Sequence, residues 1–319
     1  MTDQLVAGSV TVQEVGPEAA EDVVGVIHAG FAARQPLDPP STATDETVES
    51  VAATLGAHGG LLARSEAGPL GALLLEPCDR LLGLRRVAVH PDAQGMGVAG
   101  ALVGTAERVA QERGYDGLTL LARVELPATI GFWRHLGYDE LSRSGPMVTM
   151  VKALPVEAVA GSAEEARALG ERLASVLRAG DLVLLAGELG AGKTTFAQGV
   201  GAGLRVRGQV TSPTFVISRV HPSLAGGPAL VHVDAYRLGG VAELDDLDLD
   251  TSLDDAVTLV EWGAGVAEGL NDTRLEVTIT RTRGDDPGQA GDDDPDPRHF
   301  RFTPVGARWI GSGLRAALA

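Results

Sequence analysis

At 319 residues, with 44% hydrophobic and 22% charged side chains, the chain has about twice the usual domain length and enough apolar surface for two cores, which excludes global disorder. Its apolar runs are short pieces such as Leu182 to Ala186, and MTDQLVAGSV is not a basic segment followed by an apolar one, so neither a bilayer span nor a secretory leader is expected. The formal charge of −17 is shared by both halves, which argues against an unaided grip on nucleic acid, because such proteins carry a basic stripe that displaces counterions from phosphates.

The expected address is therefore the cytoplasm, with no membrane contact. Cys78 is the single cysteine; it cannot form an internal disulfide and is expected as a small buried hydrophobe. Lysine occurs only at Lys152 and Lys193, which draws attention to the position of each.

In chain order, Leu84 to His90 reads as a strand that runs into the turn Pro91-Asp-Ala-Gln94-Gly-Met-Gly97-Val-Ala99 and then a helix to about Arg113. Gly117 to Ala122 is the next strand-like run, and the aromatic residues Phe132, Trp133 and Tyr138 follow it. His135, beside these aromatic residues, is expected to pack. Ala153-Leu154-Pro155 interrupts the pattern, so residues 1–153 are read as one domain and 154–319 as a second. Ser162 and Glu165 stand at capping-box spacing ahead of Ala166, Leu169, Leu173, Val176 and Leu177, which predicts a helix ending at Gly180.

Three apolar runs, Leu182 to Ala186, Ala229 to Val233 and Ala256 to Val260, read as buried parallel strands. His232 lies inside one of them and is expected as a hydrogen-bonded core residue. Glu243 to Asp255 is acidic but lacks the glycine and terminal glutamate of an EF-hand loop, so it reads as a solvated face or docking surface. Leu275 to Thr280 and His299 to Thr303 flank an Asp-, Gly- and Pro-rich loop, Arg281 to Arg298, which predicts a hairpin with a disordered acidic tip.

The string Gly187-Glu-Leu-Gly-Ala-Gly192-Lys193-Thr194 fits the phosphate-binding pattern G-x-x-x-x-G-K-[ST], and it sits between a predicted strand and a predicted helix, as that mechanism requires. Glycines let main-chain N–H groups curl around an anion, and a helix start adds partial positive charge. Lys193 would reach the β and γ phosphates, and Thr194 would ligate magnesium. Asp234 and Glu261 each follow a predicted strand; both are positioned to serve the metal or its water shell.

Gly187 to Thr195, Ser212-Pro-Thr-Phe215, His232-Val-Asp-Ala-Tyr-Arg237 and Val260-Glu-Trp262 together resemble the ordered motifs of the TsaE (YjeE) family, the P-loop ATPases of bacterial tRNA threonylcarbamoyladenosine synthesis. The resemblance runs from about Val156 to the C-terminus. It implies that Gly187, Glu188, Leu189, Gly190, Ala191, Gly192, Lys193, Thr194, Thr195, Thr214 and Trp262 hold ATP, with Thr214 in a switch-like loop. It further implies that Lys193, Asp234 and Glu261 are catalytic and that Thr194, Asp234 and Glu261 bind Mg2+. ATP hydrolysis would then reset TsaD and TsaB type partners, which hold the tRNA. Ala235 departs from the family pattern, where an apolar residue such as Leu is usual, and the Arg281 to Arg298 loop resembles an insertion.

Gly95-x-Gly97-x-x-Gly100 fits a dinucleotide fingerprint, but no ribose-binding acid ends the following strand. Gln94-Gly-Met-Gly97-Val-Ala99 instead resembles the Q/R-x-x-G-x-G/A loop of the GNAT acetyltransferases, Ile130 to Tyr138 resembles the helix and glycine turn that end the family core, and the match covers nearly all of residues 10–152. It implies that Gln94, Gly95, Met96, Gly97, Val98 and Ala99 hold the acetyl-CoA pyrophosphate through main-chain amides, and that Val87, Ala88 and Val89 line the pantetheine arm. Leu126 and Trp133 stand where many members carry Asn and Tyr; an indole N–H is a poor acid for a leaving thiolate. Glu76, His90 and Glu125 are the candidate bases, by their strand-end positions. The expected molecule is an α/β fusion of a GNAT-like mixed sheet with flanking helices and a P-loop NTPase-like α/β domain. Two other readings stay open, a nucleotide-gated assembly module with a non-catalytic acyl-CoA-binding domain and a small-molecule kinase.

Overall fold

The computed structural model describes residues 10–213, 216–237, 255–263, 265, 267–281 and 296–319. Its chain divides into two compact units, Met1–Leu154 and Pro155–Ala319. Thr214 and Phe215, nearly all of the acidic stretch 243–255 and residues 282–295 of the acidic loop lie outside the described residues.

The first unit is a mixed sheet in the order β1-β2-β3-β4-β5-β7-β6: β1 Thr11–Val15, β2 Gly60–Ser65, β3 Gly68–Cys78, β4 Leu81–Val89, β5 Gly117–Arg123, β6 Asp139–Ser144 and β7 Met147–Ala153. Leu73-Leu74-Leu75 on β3 is continuously apolar because both faces are covered. Leu73 and Leu75 pack with Leu102 of α3 (Val98–Glu112) and Trp133 of α4 (Pro127–His135). Leu74 turns to the opposite face, with Ile27 of α1 (Ala20–Ala32) and Leu55 of α2 (Val48–His58).

Two irregularities in β4 shape the site. Its parallel pairing with β5 covers only Leu81–Leu84 against Gly117–Leu120, so the strands part company beyond Leu84. The register with β3 also slips between Ala72 and Leu74, opposite Arg86, whose φ is +52°. A β-bulge of this kind bends the strand and re-aims its groups.

The second unit orders its strands β10-β11-β12-β9-β13-β14-β8. These are β8 Val156–Ala160, β9 Leu182–Ala186, β10 Ser218–His221, β11 Ala229–Asp234, β12 Ala256–Glu261, β13 Arg274–Arg281 and β14 Arg298–Val305. The strands β11, β12, β9 and β13 are parallel, and β13 and β14 pair antiparallel as the expected hairpin. Helices α5 (Ala163–Ala174) and α6 (Lys193–Gly203) pack together, and α7 spans Leu314–Leu318. Gly199 makes the α5–α6 contact possible, since a β-carbon there would come 2.0 Å from the Arg167 carbonyl oxygen.

Four expectations need correction. Helix α5 stops at Ala174 rather than Gly180, because Ser175 Oγ bonds back to the Arg172 carbonyl and the Arg178 N–H turns to the Asp181 carboxylate. Its cap also differs: Ser162 Oγ accepts from Glu165 N–H, but the Glu165 carboxylate reaches Gly161 N–H, one residue before the cap. Cys78 is exposed at the end of β3, where a cavity opens beside the strand. His135 is exposed because Trp133 takes the inward position on α4.

Candidate functional site

In the second unit β9 ends at Ala186 and the chain turns through Gly187, Gly190 and Gly192, with φ of +150°, +78° and +105°. Side chains rarely adopt such angles, so glycine is required for the loop to face its N–H groups inward. Gly187 is also tight against the sheet, since a β-carbon would meet the Ile279 carbonyl oxygen at 2.6 Å. Glu188, Leu189 and Gly190 form the exposed crest, while Ala191 is buried. Helix α6 begins with Lys193, Thr194 and Thr195, and its Gly192 cap has no side-chain hydrogen bond.

Lys193 is buried at 5% exposure. Its Nζ donates to the carbonyls of Gly187 at 2.8 Å and Glu188 at 3.0 Å, and lies 3.7 Å from the ring centroid of Trp262. Burial pushes the ammonium below the ordinary lysine range, while the charges of Glu261 and Asp234 pull it back up. Sheet register brings the acids together: Asp234 pairs with Glu261 across β11 and β12, and Glu261 pairs with Leu185 across β12 and β9.

Thr194 Oγ1 donates to Glu261 at 3.0 Å. His232 Nε2 lies 2.9 Å from the same carboxylate. The histidine is fully buried, as expected of a core residue, yet its partner is the acid at the strand end. Ser212 Oγ donates to Asp234 Oδ2 at 3.1 Å, and the Tyr236 N–H reaches Oδ1 at 3.0 Å. Tyr236 also packs its ring 5.2 Å from Trp262, a contact that the sequence did not reveal because it joins the ends of two strands.

Among the described residues no three His, Cys, Asp or Glu side chains converge as a protein-only metal cage. Two carboxylates and a hydroxyl suit a hard cation that takes its remaining oxygens from water and phosphate, as Mg2+ does. Thr194, Asp234 and Glu261 fit that ion. Thr214 falls outside the described residues.

The first unit holds a cavity of about 960 Å³ beside the parting of β4 and β5, lined in part by Val87, Val89, Gln94, Ala99, Leu126 and Trp133. Ala88 and Val98 instead turn their side chains into the two cores, leaving only main chain for a ligand. Gly95, Met96 and Gly97 are exposed. Both glycines have φ +78°, and nothing lies within 4 Å of where a β-carbon would sit. Helix α3 follows from the uncapped Gly97. An open, left-handed loop at a helix start fits the pyrophosphate of acetyl-CoA.

Of the three candidate bases only Glu76 lines the cavity, with Arg85 Nη1 at 3.2 Å. Glu125 is held by Arg123, and His90 Nδ1 accepts from Asp92 N–H. Trp133 sits edge-on between Phe132 and Tyr138, at 5.2 and 5.1 Å between centroids. The residues that sequence reasoning missed are Arg34 and the Arg86–Glu46 pair, which bring the segment after α1 onto the β4 bulge. Their partners are 40 or more positions away, and no local pattern marks them.

Residues 160–288 match the family model described as threonylcarbamoyl adenosine biosynthesis protein TsaE, and residues 32–138 match that of the acetyltransferase (GNAT) family. A Streptomyces coelicolor protein named tRNA threonylcarbamoyladenosine biosynthesis protein TsaE is 60% identical over 144 residues, 45% of this chain and 93% of that protein. Among solved structures, Bacillus subtilis YdiB aligns with 50% of this chain and 90% of its own, at 32% identity and a TM-score of 0.38. The PaiA N-acetyltransferase of Thermoplasma acidophilum in complex with coenzyme A aligns with 46% of this chain and 99% of its own, at 16% identity and a TM-score of 0.40.

Proposed function

Because this chain belongs to the TsaE family and carries a GNAT-family segment ahead of that part, we propose that it is an ATP hydrolase of tRNA threonylcarbamoyladenosine synthesis fused to an acetyl-CoA-dependent N-acetyltransferase. The observation that carries the first activity is the convergence of Lys193, Thr194, Asp234 and Glu261 at the glycine loop between β9 and α6. Phosphoryl transfer needs little covalent help from protein; it needs the phosphates positioned and their charge balanced.

The loop amides and the α6 N-terminus bind the phosphates. Lys193 exchanges its two carbonyl partners for phosphate oxygens, leaving the Trp262 ring beside the nucleotide. Thr194, Asp234 and Glu261 would hold Mg2+, which when bound would supply positive charge to the phosphate oxygens. His232 fixes the orientation of the Glu261 carboxylate from below, and Ser212 and the Tyr236 N–H fix that of Asp234. TsaD and TsaB type subunits are the partners of this cycle, and they hold the tRNA, in keeping with the acidic charge of the chain.

In the first unit, main-chain amides from Gly95 to Ala99 hold the acetyl-CoA pyrophosphate, and the β4 edge left by β5 receives the pantetheine arm. An acceptor amine then approaches through the cavity from the side of Glu76.

Slow ATP hydrolysis by the protein alone, lost in Lys193→Ala and in Asp234→Asn, is the expected result. Full activity in both variants would overturn the assignment. The existing bonds of Lys193 favour one second reading, a nucleotide-gated assembly module in which binding rather than hydrolysis does the work. Multiple-turnover tRNA modification with TsaB and TsaD that survives Glu261→Gln would select it; loss of turnover selects hydrolysis.

A further inference from the structure

The cavity wall of the first unit carries Arg34, Arg85, Arg86, Arg123 and Glu76. Three of these arginines are neutralised one to one. Arg85 pairs with Glu76 at 3.2 Å, Arg86 with Glu46 at 2.8 Å and Arg123 with Glu125 at 2.7 Å. Among the described residues Arg34 has no carboxylate partner. Its Nη2 donates to the Val87 carbonyl at 3.0 Å, and its guanidinium lies 3.8 Å from the Phe31 ring centroid. Burial alone pushes this group below the ordinary arginine range, with no acid to offset it. In a chain of formal charge −17, an uncompensated, half-buried guanidinium in a cavity is one that a ligand anion would complete.

The position of Arg34 identifies that anion. It grips Val87 at the β4 bulge, on the α1 side, whereas the pyrophosphate cradle begins at Gly95, beyond the end of the strand. We propose that Arg34 is the specificity residue of the acetyl acceptor site, and that the acceptor is a primary amine bearing a carboxylate, which Arg34 binds through its remaining N–H groups.

This rests on the acetyltransferase reading of the unit. In the transfer, the amine lone pair attacks the acetyl carbonyl carbon, the C–N bond forms and the C–S bond breaks. The proton that the nitrogen loses ends on the departing thiolate, giving the N-acetyl product and free coenzyme A. Arg34 holds the carboxylate and takes no part in the proton transfer.

The test uses the full chain. Calorimetry with acetyl-CoA first examines the parent reading; no binding by the wild type would remove both that reading and the acceptor site. Thiol release is then measured with the L-amino acids, each against its own carboxamide. At least one acid should be acetylated about tenfold or more faster than its amide, the scale of a charge-assisted hydrogen bond. Arg34→Gln keeps a donor for the Val87 carbonyl but removes the charge. It should raise the acceptor KM by about tenfold or more and leave the affinity for acetyl-CoA unchanged; Arg34→Lys should recover part of the loss.

Equal rates with acids and amides would overturn the proposal, as would a panel in which no acid is acetylated. If Arg34→Gln instead weakens acetyl-CoA binding while the acceptor KM stays fixed, the anion belongs to the coenzyme and the proposal is wrong.

Discussion

The buried ion pair at the start of β9 sets a test of how the second unit is held together. Arg308 Nε donates to Asp181 Oδ1 at 3.0 Å, and its Nη2 donates to Oδ2 at 2.8 Å and to the Val176 carbonyl at 2.9 Å. The two side chains are 9% and 3% exposed. Asp181 immediately precedes β9, and its main-chain carbonyl accepts from the Thr258 N–H of β12. One carboxylate thus ties the C-terminal segment to the strand that delivers the glycine loop.

Among the described residues, replacing Arg308 with Met leaves a buried carboxylate with one remaining donor, the Arg178 N–H at 2.8 Å. Removal of one member of a buried pair costs about 3–5 kcal/mol, a large part of the ~5–15 kcal/mol that holds a domain folded. Urea unfolding in a Trp133→Phe background, followed by the emission of Trp262 and Trp309, reads this unit, and Arg308 itself lies 4.8 Å from the Trp309 ring centroid. The midpoint should fall with the slope unchanged. The double variant Asp181→Leu with Arg308→Met should recover at least half of the loss, because it leaves no orphaned charge. A single-variant loss under about 1 kcal/mol would refute the reasoning, since it would place the pair in the class of solvent-screened surface bridges.

Three further outcomes follow from the same geometry. Gly97→Ala forces a β-carbon onto φ +78° without a clash, a strain of about 1–2 kcal/mol; calorimetry should show acetyl-CoA binding weakened about tenfold with the fold intact, and unchanged affinity would remove the loop from the site. ATP should change the emission of Trp262 by drawing Lys193 off its ring, and the same change in Lys193→Ala would contradict that exchange. Burial pushes the His221 imidazole below its usual 6.5, with the charges of His232 and Arg219 adding to the effect against the Arg207 carbonyl. The unfolded chain therefore takes up this proton first as pH falls, so its contribution to stability is complete above about pH 6.5 and declines below it, by at most ~1.4 kcal/mol per pH unit. Melting curves between pH 5 and 7.5 should be flatter for His221→Asn; identical slopes would exclude the histidine.

Residues close together along the chain made much of this site legible. The glycine loop is contiguous, and its neighbours Leu182–Ala186, Ala229–Asp234 and Ala256–Glu261 are the apolar runs that parallel strands buried on both faces require. Parallel strands also end on the same edge, which is why Asp234 and Glu261 could be paired before their register was known. Arg34 could not be found that way, because its partner Val87 is 53 residues distant and an arginine after a helix looks like any solvated one. Nor does the sequence mark the β4 bulge at Arg86, a position that carries an ordinary side chain at positive φ. Cys78 and His135 were misplaced because residue type speaks for average burial, while the end of β3 and the outer side of α4 decide these two cases.

The two units share one device and differ in what they set against it. Helices α2 and α5 begin with Thr47 and Ser162, whose hydroxyls accept from the first-turn amides. Helices α3 and α6 begin instead at Gly97 and Gly192, both left-handed and without a side-chain cap. A capping hydroxyl and a ligand anion compete for the same N–H groups, so a bare glycine start gives up a few tenths of a kcal/mol of helix stability and leaves those groups for a phosphate. Around Gly192 the start of α6 adds the Lys193 ammonium group and two strand ends add the carboxylates of Asp234 and Glu261, which suits a phosphate that is to be transferred. Around Gly97 the nearby residues are Gln94, Met96 and Ala99, and the charged groups of the cavity wall stand apart from the loop, at Glu76 on β3, Arg85 on β4 and Arg34 after α1. On the acetyltransferase reading proposed above, the pyrophosphate would serve as a handle and the reacting bond would lie at the other end of the ligand, on the side where Arg34 lines the cavity.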